Sequence, residues 1–332
     1  MAKNDEDKQV DRRGFLQCMA WVGTGAVWTM SSGVLKGMPL GHGQRAAMTH
    51  ATGSGGLRFV QISDSHIGFD KPANTDVTAT LRAAIAKIKA SPEQPSFVLH
   101  TGDLTHLSKP AEFDTLQQVL SELSLPVFYV PGEHDVLEDD GRSYLQRFGK
   151  GTEGAGWHSF DQGGVHFIGL VNVVNLKAGG LGSLGKEQLE WLEKDVKHLK
   201  SSTPIVVFAH IPLWSLYPEW GWGTDDSAQA LSYLKPFGSV SVLNGHIHQV
   251  MQKVEGHITF HTAMSTAFPQ PAPGSAPSPG PMKVEADRLK QVLGLSRVSF
   301  QGVNHPIAIT DVPLEEPMQA PARARPVEDA VG

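Results

Sequence analysis

Cysteine is almost absent from this sequence, since Cys18 is the only one among 332 residues. An internal disulfide is therefore impossible, and no cluster of thiolates can hold a metal ion. The sequence also lacks the G-x-x-x-x-G-K-[ST] phosphate loop and the G-x-S-x-G turn that carries a serine nucleophile. These absences disfavour covalent catalysis and leave histidine, aspartate, glutamate and asparagine as ligands for any metal site.

Excess positive charge is missing as well. Lysine and arginine together number 28 and aspartate and glutamate 34, which gives a formal net charge of -6. Nucleic-acid binding requires a basic surface, so we expect no nucleic-acid partner. Hydrophobic residues make up 40% of the chain and charged residues 19%, as is typical of a globular protein.

The N-terminal segment is predicted to direct export. Arg12 and Arg13 precede a mostly apolar stretch, residues 15–35, that contains Cys18 and is diluted by glycine and serine. This pattern resembles a twin-arginine signal, which is recognised by the twin-arginine translocation machinery. An uncleaved membrane anchor is the alternative, but the glycines and serines make it a weak membrane span. We therefore predict a signal and linker over residues 1–54, a periplasmic or secreted protein, and membrane contact only through this segment.

Five apolar runs that each end in polar residues predict buried strands from residue 57 onward. They cover residues 57–66, 96–106, 127–135, 205–212 and 240–248. Amphipathic helical patterns separate several of these runs, at residues 75–90, 111–123 and 185–199. Alternation of strand and helix is typical of α/β proteins.

The later part of the chain predicts a second, more antiparallel sheet packed on the first. Residues 157–173 have the pattern of a hairpin that turns near residues 162–164. Further strands are predicted at 257–263, 296–300 and 307–311. We expect one domain over residues 55–313, followed by a disordered tail over residues 314–332.

Two further segments have more than one interpretation. Residues 268–282 contain six prolines and predict an extended loop, which either reaches the rim of a site or is passive. Trp214, Trp220 and Trp222 follow His210 closely in sequence. They form either a stacking wall for a substrate or, the favoured interpretation, the packing of a long loop.

The polar residues at the ends of the predicted strands are the candidate functional site. They are Asp64, His66, Asp103, Glu133, His134, Asp135, His210, His246 and His248. The carboxyl ends of strands in an open α/β sheet line one crevice, so we expect these side chains to converge. Imidazoles with carboxylates suit Zn, Mn or Fe, and one carboxylate can bridge two such ions. The simplest nucleophile for such a site is a metal-bound hydroxide.

The order of these motifs resembles that of the calcineurin-like metallophosphoesterases, which have D-x-H, G-D, G-N-H-[DE], a lone H and G-H-x-H. This chain has Asp64-x-His66, Gly102-Asp103, Gly132-Glu133-His134-Asp135, His210 and Gly245-His246-x-His248, so the resemblance covers most of residues 57–265. It implies a four-layer sandwich of two mixed sheets flanked by helices. The segments "GDLTH" and "NGHIHQ" are most similar to the class III cyclic-nucleotide and glycerophosphodiester phosphodiesterase branch.

The resemblance also implies a role for each residue of the site. Asp64, His66 and His248 would hold a first metal ion, and Asp103 would bridge to a second ion. The second ion would be held by His210, His246 and residue 133. His134 would contact the substrate and protonate its leaving oxygen, Asp135 would orient the His134 ring, and His106 is a further candidate for substrate binding.

Glu133 departs from the family pattern, which has asparagine at this position. An ionised glutamate lowers the charge of the site by one and offers no hydrogen-bond donor, whereas asparagine is neutral and has an amide donor. The expected function is hydrolysis of a phosphodiester or phosphomonoester with two metal ions, and a phosphodiester is favoured. The alternative is a metal-binding or sensing protein with little phosphatase activity, because Glu133 replaces the usual asparagine.

Overall fold

A computed structural model describes residues 26–31, 34–39, 56–302 and 307–316. The chain divides into two compact units, Met1–Ala46 and Ala47–Gly332. In the first unit, strands β1 (Ala26–Ser31) and β2 (Val34–Pro39) pair in antiparallel fashion. Most of the predicted export signal and most of the predicted tail lie outside the described residues. Within the described ranges, no helix is long and apolar enough to cross a membrane.

The second unit contains the predicted alternation of strands and helices. Its strands are β3 (Leu57–Ile62), β4 (Val98–His100), β5 (Val127–Tyr129), β6 (His158–Gln162), β7 (Val165–Gly169), β8 (Ile205–Ala209), β9 (Val240–Asn244), β10 (Gln252–Glu255), β11 (Ile258–Thr262), β12 (Gly294–Phe300) and β13 (Ala308–Pro313). Its helices are α1 (Val77–Lys89), α2 (Pro110–Leu120), α3 (Arg142–Phe148), α4 (Lys186–Val196), α5 (Ser227–Leu234) and α6 (Leu289–Val292).

These strands form two mixed sheets. The first sheet has the order β13-β12-β3-β4-β5, in which β3, β4 and β5 run parallel and β12 pairs antiparallel with both neighbours. The second sheet has the order β10-β11-β9-β8-β7-β6, with a parallel centre and an antiparallel pair at each edge. The predicted hairpin at 157–173 is the pair β6 and β7, which turns at residues 163–164.

Alternating side chains on the strands build three apolar layers. On β3, Phe59 packs toward the second sheet, whereas Val60 and Ile62 pack against α1 and α2. On β8, Phe208 faces the first sheet, and Val207 packs against α4 and α5. Because successive residues of a strand point to opposite faces, each sheet buries both faces. The expected four-layer sandwich is confirmed.

A buried histidine on β7, His166, contacts carboxylates of both β6 and α4. His166 on β7 is 1% exposed, with Nδ1 2.7 Å from Asp161 Oδ1 and Nε2 2.7 Å from Asp195 Oδ2. Burial opposes ionisation, but the two carboxylates outweigh it and raise the pKa of His166. The two carboxylates therefore favour the imidazolium form of His166 in the folded structure.

Candidate metal centre

The candidate ligands stand in the loops that follow five parallel strands. Asp64 follows β3, Asp103 follows β4, and Glu133 to Asp135 form a single 3-10 turn after β5. In the other sheet, His210 follows β8 directly, and the loop after β9 carries His246 and His248. The carboxyl ends of both sheets open on the same cavity, as the strand pattern predicts.

The backbone is unusual at most of these ligands. Seven non-glycine residues among those described have a positive φ, and five of them are candidate ligands: Asp64 (53°), His66 (41°), Asp103 (49°), His246 (70°) and His248 (55°). Such conformations are uncommon for residues with a side chain and cost about 1 kcal/mol or more each. Because five of these conformations occur at candidate ligands, the rest of the fold must stabilise an unfavourable backbone that directs these side chains toward one another.

Two glycines of the motifs are required by the close approach of a ligand. A Cβ atom at Gly132 would lie 2.1 Å from Asp103 Oδ1, and one at Gly245 would lie 2.0 Å from Ser63 Oγ and 2.7 Å from Asp64 Oδ2. No side chain fits at those distances. The glycine before each polar pair therefore lets one loop pack directly on the carboxylate of another.

A first triad of possible ligands consists of Asp64, His66 and His248, whose donor atoms all lie within 4.8 Å of one another. His248 Nε2 lies 3.3 Å from Asp64 Oδ1 and 3.2 Å from His66 Nε2. The other ring nitrogen of His248, Nδ1, lies 2.5 Å from the backbone oxygen of Phe268 and donates to it. That bond directs Nε2 of His248 inward, as an outer partner does for a metal-binding histidine.

A second triad consists of Glu133, His210 and His246. Glu133 Oε2 lies 3.0 Å from His210 Nε2, and Glu133 Oε1 lies 2.9 Å from His246 Nδ1. Nonetheless His210 Nε2, Glu133 Oε2 and both ring nitrogens of His246 are buried without a hydrogen bond of acceptable geometry. Buried polar atoms that converge without pairing fit a cation held between them.

Asp103 lies between the two triads. Its Oδ2 is 3.4 Å from His66 Nε2 and 3.3 Å from His210 Nε2, and its Oδ1 accepts the backbone N–H of His134 at 2.9 Å. His210 is in turn held by a hydrogen bond from Nδ1 to the backbone oxygen of Thr101 at 2.7 Å. The residues present therefore fit a pair of borderline ions that share one carboxylate.

Electrostatics favour ionised carboxylates in both triads. Burial raises the pKa of Asp64, but His248 and His210 outweigh burial and hold that pKa at about 2. Burial also opposes ionisation of Glu133, yet His246 and His210 lower its pKa well below the usual range. Burial lowers the pKa of His66 well below its usual value, so its imidazole is neutral, as a ligand must be.

His134 and Asp135 are placed differently from each other, and Asp135 does not make the expected contact. His134 Nδ1 donates to the backbone oxygen of His106 at 2.7 Å, so that carbonyl, and not Asp135, orients the His134 ring. Asp135 accepts instead from the backbone N–H groups of Gly132, Leu104 and Thr105 and from the Thr105 hydroxyl. Asp135 thus joins the loop after β5 to the loop after β4, and of these two residues His134 is the one that lines the cavity.

His106 lies beside His134 and at the first triad. Its ring stacks on that of His134, with centroids 5.0 Å apart, and its Nδ1 lies 3.5 Å from His66 Nδ1. Burial lowers the pKa of His106, and the nearby His134 lowers it further. His106 lines the cavity, and its role in substrate binding stays a prediction.

A cavity of about 210 Å³ opens above the two triads. It is lined by candidate ligands, by His106 and His134, and by Trp220, Trp222, Phe268, Gln270 and residues 279–281. The proline-rich loop therefore reaches the rim, and two of the three tryptophans border the cavity. Trp214 does not, because it is buried against Phe260, with ring centroids 5.1 Å apart. Phe268 and Gln270 belong to the proline-rich segment, and their residue types alone do not identify them as lining residues.

The family model described as "Calcineurin-like phosphoesterase" matches residues 57–250. The chain belongs to the calcineurin-like phosphoesterase family. With this membership and two sets of candidate ligands, the chain is a metal-dependent phosphoric ester hydrolase.

Several relatives within this family are named as phosphodiesterases. A 3',5'-cyclic-nucleotide phosphodiesterase of Nostoc sp. is 25% identical over 219 residues, which is 64% of this chain and 79% of that protein. A probable cyclic nucleotide phosphodiesterase of Synechococcus sp. is 28% identical over 65% of this chain and 83% of its own length. A probable glycerophosphodiester phosphodiesterase of Arcobacter nitrofigilis is 26% identical over 46% of this chain and 57% of its own length.

Solved structures agree with the fold. A dimetal phosphatase from Danio rerio superposes with a TM-score of 0.60 at 15% identity, over 79% of this chain and 98% of that chain. A purple acid phosphatase from yellow lupin superposes with a TM-score of 0.55 at 13% identity, over 78% of this chain and 51% of that one. At these identities the likeness concerns the sandwich architecture alone.

Proposed function

We propose that this protein is an exported phosphodiesterase that works with two metal ions. The single observation that supports the proposal most is the position of Asp103, whose Oδ2 faces one histidine of each triad at 3.3–3.4 Å. Asp64, His66 and His248 would hold one ion, and Glu133, His210 and His246 the other. When bound, two such ions activate a water molecule for attack on phosphorus and neutralise charge on the ester oxygens.

His134 is the proposed general acid. Its ring is fixed by the hydrogen bond from Nδ1 to the carbonyl of His106, and the residue lines the cavity beside Asp103. Nε2 is therefore the nitrogen available to a substrate, and a proton on it can pass to the leaving oxygen. Asp135 acts indirectly, because its bonds to Gly132 and Leu104 set the backbone on which His134 stands.

The charge of the site favours a diester over a monoester. Two divalent ions carry four positive charges, and the carboxylates of Asp64, Asp103 and Glu133 remove three, which leaves a formal charge of about +1. No lysine or arginine lines the cavity within the part of the chain that the structure describes. A diester with one negative charge balances this site, whereas a monoester dianion exceeds it. The phosphodiesterase names of several relatives support the same choice.

The test compares a diester with a monoester on protein loaded with Mn, Fe or Zn. We expect bis-p-nitrophenyl phosphate to be hydrolysed with a higher kcat/KM than p-nitrophenyl phosphate, and both activities to disappear in metal-free protein. A higher kcat/KM for the monoester would contradict the charge argument. Loss of activity in Asp103→Asn, but not in the surface variant Asp114→Asn, ties the reaction to this centre.

A metal-binding or sensing protein without turnover is the second candidate. Glu133 favours it, because this carboxylate lies within 3.0 Å of both His210 and His246 and lowers the charge available to an anionic ester. The presence of His134 in the cavity favours hydrolysis, since a metal carrier needs no group that protonates a leaving oxygen. Tight retention of two ions without hydrolysis of any diester would support the second candidate.

Export is the third part of the proposal. The pair Arg12-Arg13 before a moderately apolar stretch supports recognition by the twin-arginine translocation machinery, which accepts folded, metal-loaded proteins. The working enzyme would then act in the periplasm or outside the cell on a small phosphoester. Fractionation of cells that produce the full chain, followed by assay of each compartment for diester hydrolysis, tests this localisation.

A further inference from the structure

The part of the cavity lining that contains no metal ligand and no histidine forms an uncharged outer wall. This outer wall is formed by Trp220, Trp222, Phe268, Gln270 and residues 279–281, which are Pro-Gly-Pro. A substrate whose phosphorus lies over Asp103 can place its organic substituent against this wall. The chemistry of the wall therefore bears on which substituents are accepted.

The tryptophan side of the outer wall is held in a compact turn. The backbone N–H of Tyr217 donates to the oxygen of Trp222 at 3.1 Å, and the N–H of Trp222 donates to the oxygen of Tyr217 at 3.1 Å. Trp220 packs edge-to-face on Tyr217 and on Trp222, with ring centroids 5.1 Å apart in both pairs. Trp222 is 1% exposed and supports the turn, whereas Trp220 is half-buried and offers ring surface to the cavity.

The other side of the outer wall is tied to the loop of metal ligands. Gln270 Nε2 donates to the backbone oxygen of His246 at 3.2 Å, and Gln249 Nε2 donates to the backbone oxygen of Pro271 at 2.7 Å. The N–H of Met282 donates to the oxygen of Pro269 at 2.8 Å and closes the loop at its base. Both sides of the outer wall are therefore positioned by hydrogen bonds before a substrate arrives.

From this arrangement we infer that Trp220 is a specificity-determining residue that selects diesters with an uncharged, flat or aromatic substituent. The inference rests on the proposed function and specifies the substrate class of the same site. An indole face and prolines give a rigid apolar surface on which a flat group stacks, and they provide no partner for a charged group.

The test measures binding separately from turnover. Two stable monoanions, methyl phenylphosphonate and methyl methylphosphonate, resemble a diester with and without an aromatic group. Calorimetric titration of the metal-loaded full chain should show about ten-fold tighter binding of the phenyl compound, the usual size of one aromatic stacking contact. Trp220→Ala should abolish most of this preference, and Trp220→Phe should restore part of it.

The matched control is Trp191→Ala, since Trp191 is a partly exposed tryptophan on α4 that does not line the cavity. We expect it to keep the preference of the unmodified protein, and we expect all variants to keep the same metal content. Equal binding of the two phosphonates by the unmodified protein, or an unchanged preference in Trp220→Ala, would overturn the inference. Failure of the proposed function would appear separately, as an absence of diester hydrolysis with every metal.

Discussion

Replacing Glu133 by glutamine removes one negative charge from the proposed metal centre while it keeps the length of the side chain. Glutamine retains a carbonyl oxygen that can reach the second triad, where Glu133 now lies 3.0 Å from His210 Nε2 and 2.9 Å from His246 Nδ1. The formal charge of the site with two divalent ions rises by one. An anionic ester and the charge that develops on its oxygens should both be stabilised.

The size of the effect follows from distance and screening. A unit charge about 5 Å from the ester interacts with it by about 3 kcal/mol at an effective dielectric constant of about 20. The Glu133 side chain is 23% exposed, so solvent screening reduces the interaction. A remaining effect of about 1.5 kcal/mol corresponds to roughly a ten-fold rise in kcat/KM for a diester.

The assay combines metal analysis with hydrolysis of bis-p-nitrophenyl phosphate by Mn- or Zn-loaded protein. Glu133→Gln should keep both ions and hydrolyse the diester about ten-fold faster, and it should retain trivalent iron less well. Glu133→Asn tests whether the length of the side chain matters. Asparagine is shorter than glutamate, so this variant should lose the second ion if the site requires a ligand as long as Glu133. A Glu133→Gln variant that keeps both ions yet hydrolyses diesters more slowly would refute the charge argument and show that the carboxylate itself assists the reaction.

Three other predictions concern the leaving group, export and stability. His134→Ala should keep the metal content and lower turnover of diesters with poor leaving groups by about 10²–10⁴-fold, and nitrophenyl esters should lose less; equal losses would point to positioning rather than acid catalysis. Arg12→Lys combined with Arg13→Lys should leave folded, metal-loaded protein in the cytoplasm, and unimpaired export would remove the twin-arginine interpretation. The raised pKa of His166 should contribute stability that is complete below its unfolded pKa of about 6.5 and is lost as pH rises through the folded value. His166→Gln should therefore reduce the free energy of unfolding more at pH 6 than at pH 9 in urea titrations, and an equal reduction at both pH values would contradict the assignment.

The sequence predicts the fold and most of the candidate site because each strand and the polar residues at its end are encoded in one short segment of the chain. An apolar run followed by Asp64-x-His66 identifies both a strand and its polar end, and parallel strands bring such ends together. The lengths of the strands are less well predicted. Val130 and Ile211 continue the apolar runs past β5 and β8, but they are buried as loop residues and not as strand residues.

Contacts between distant loops could not be predicted from the sequence. Asp135 stands next to His134 in the chain, yet its carboxylate bonds to Leu104 and Thr105, about 30 residues away. The choice among the tryptophans has a similar cause. Trp214 is buried in the core and Trp220 borders the cavity, and nothing in the residue types signals which ring faces inward.

The central claim, two metal ions that share Asp103, is tested most directly by counting ions per chain. Elemental analysis of protein loaded with Mn or Zn and dialysed should give two ions in the unmodified chain and in Asp114→Asn, which changes a surface ion pair with Arg147 and does not alter the cavity lining. In Asp103→Asn both sites should lose occupancy, because the carboxylate of Asp103 faces both triads. Two ions retained in Asp103→Asn, or a single ion in the unmodified chain, would contradict the dinuclear centre.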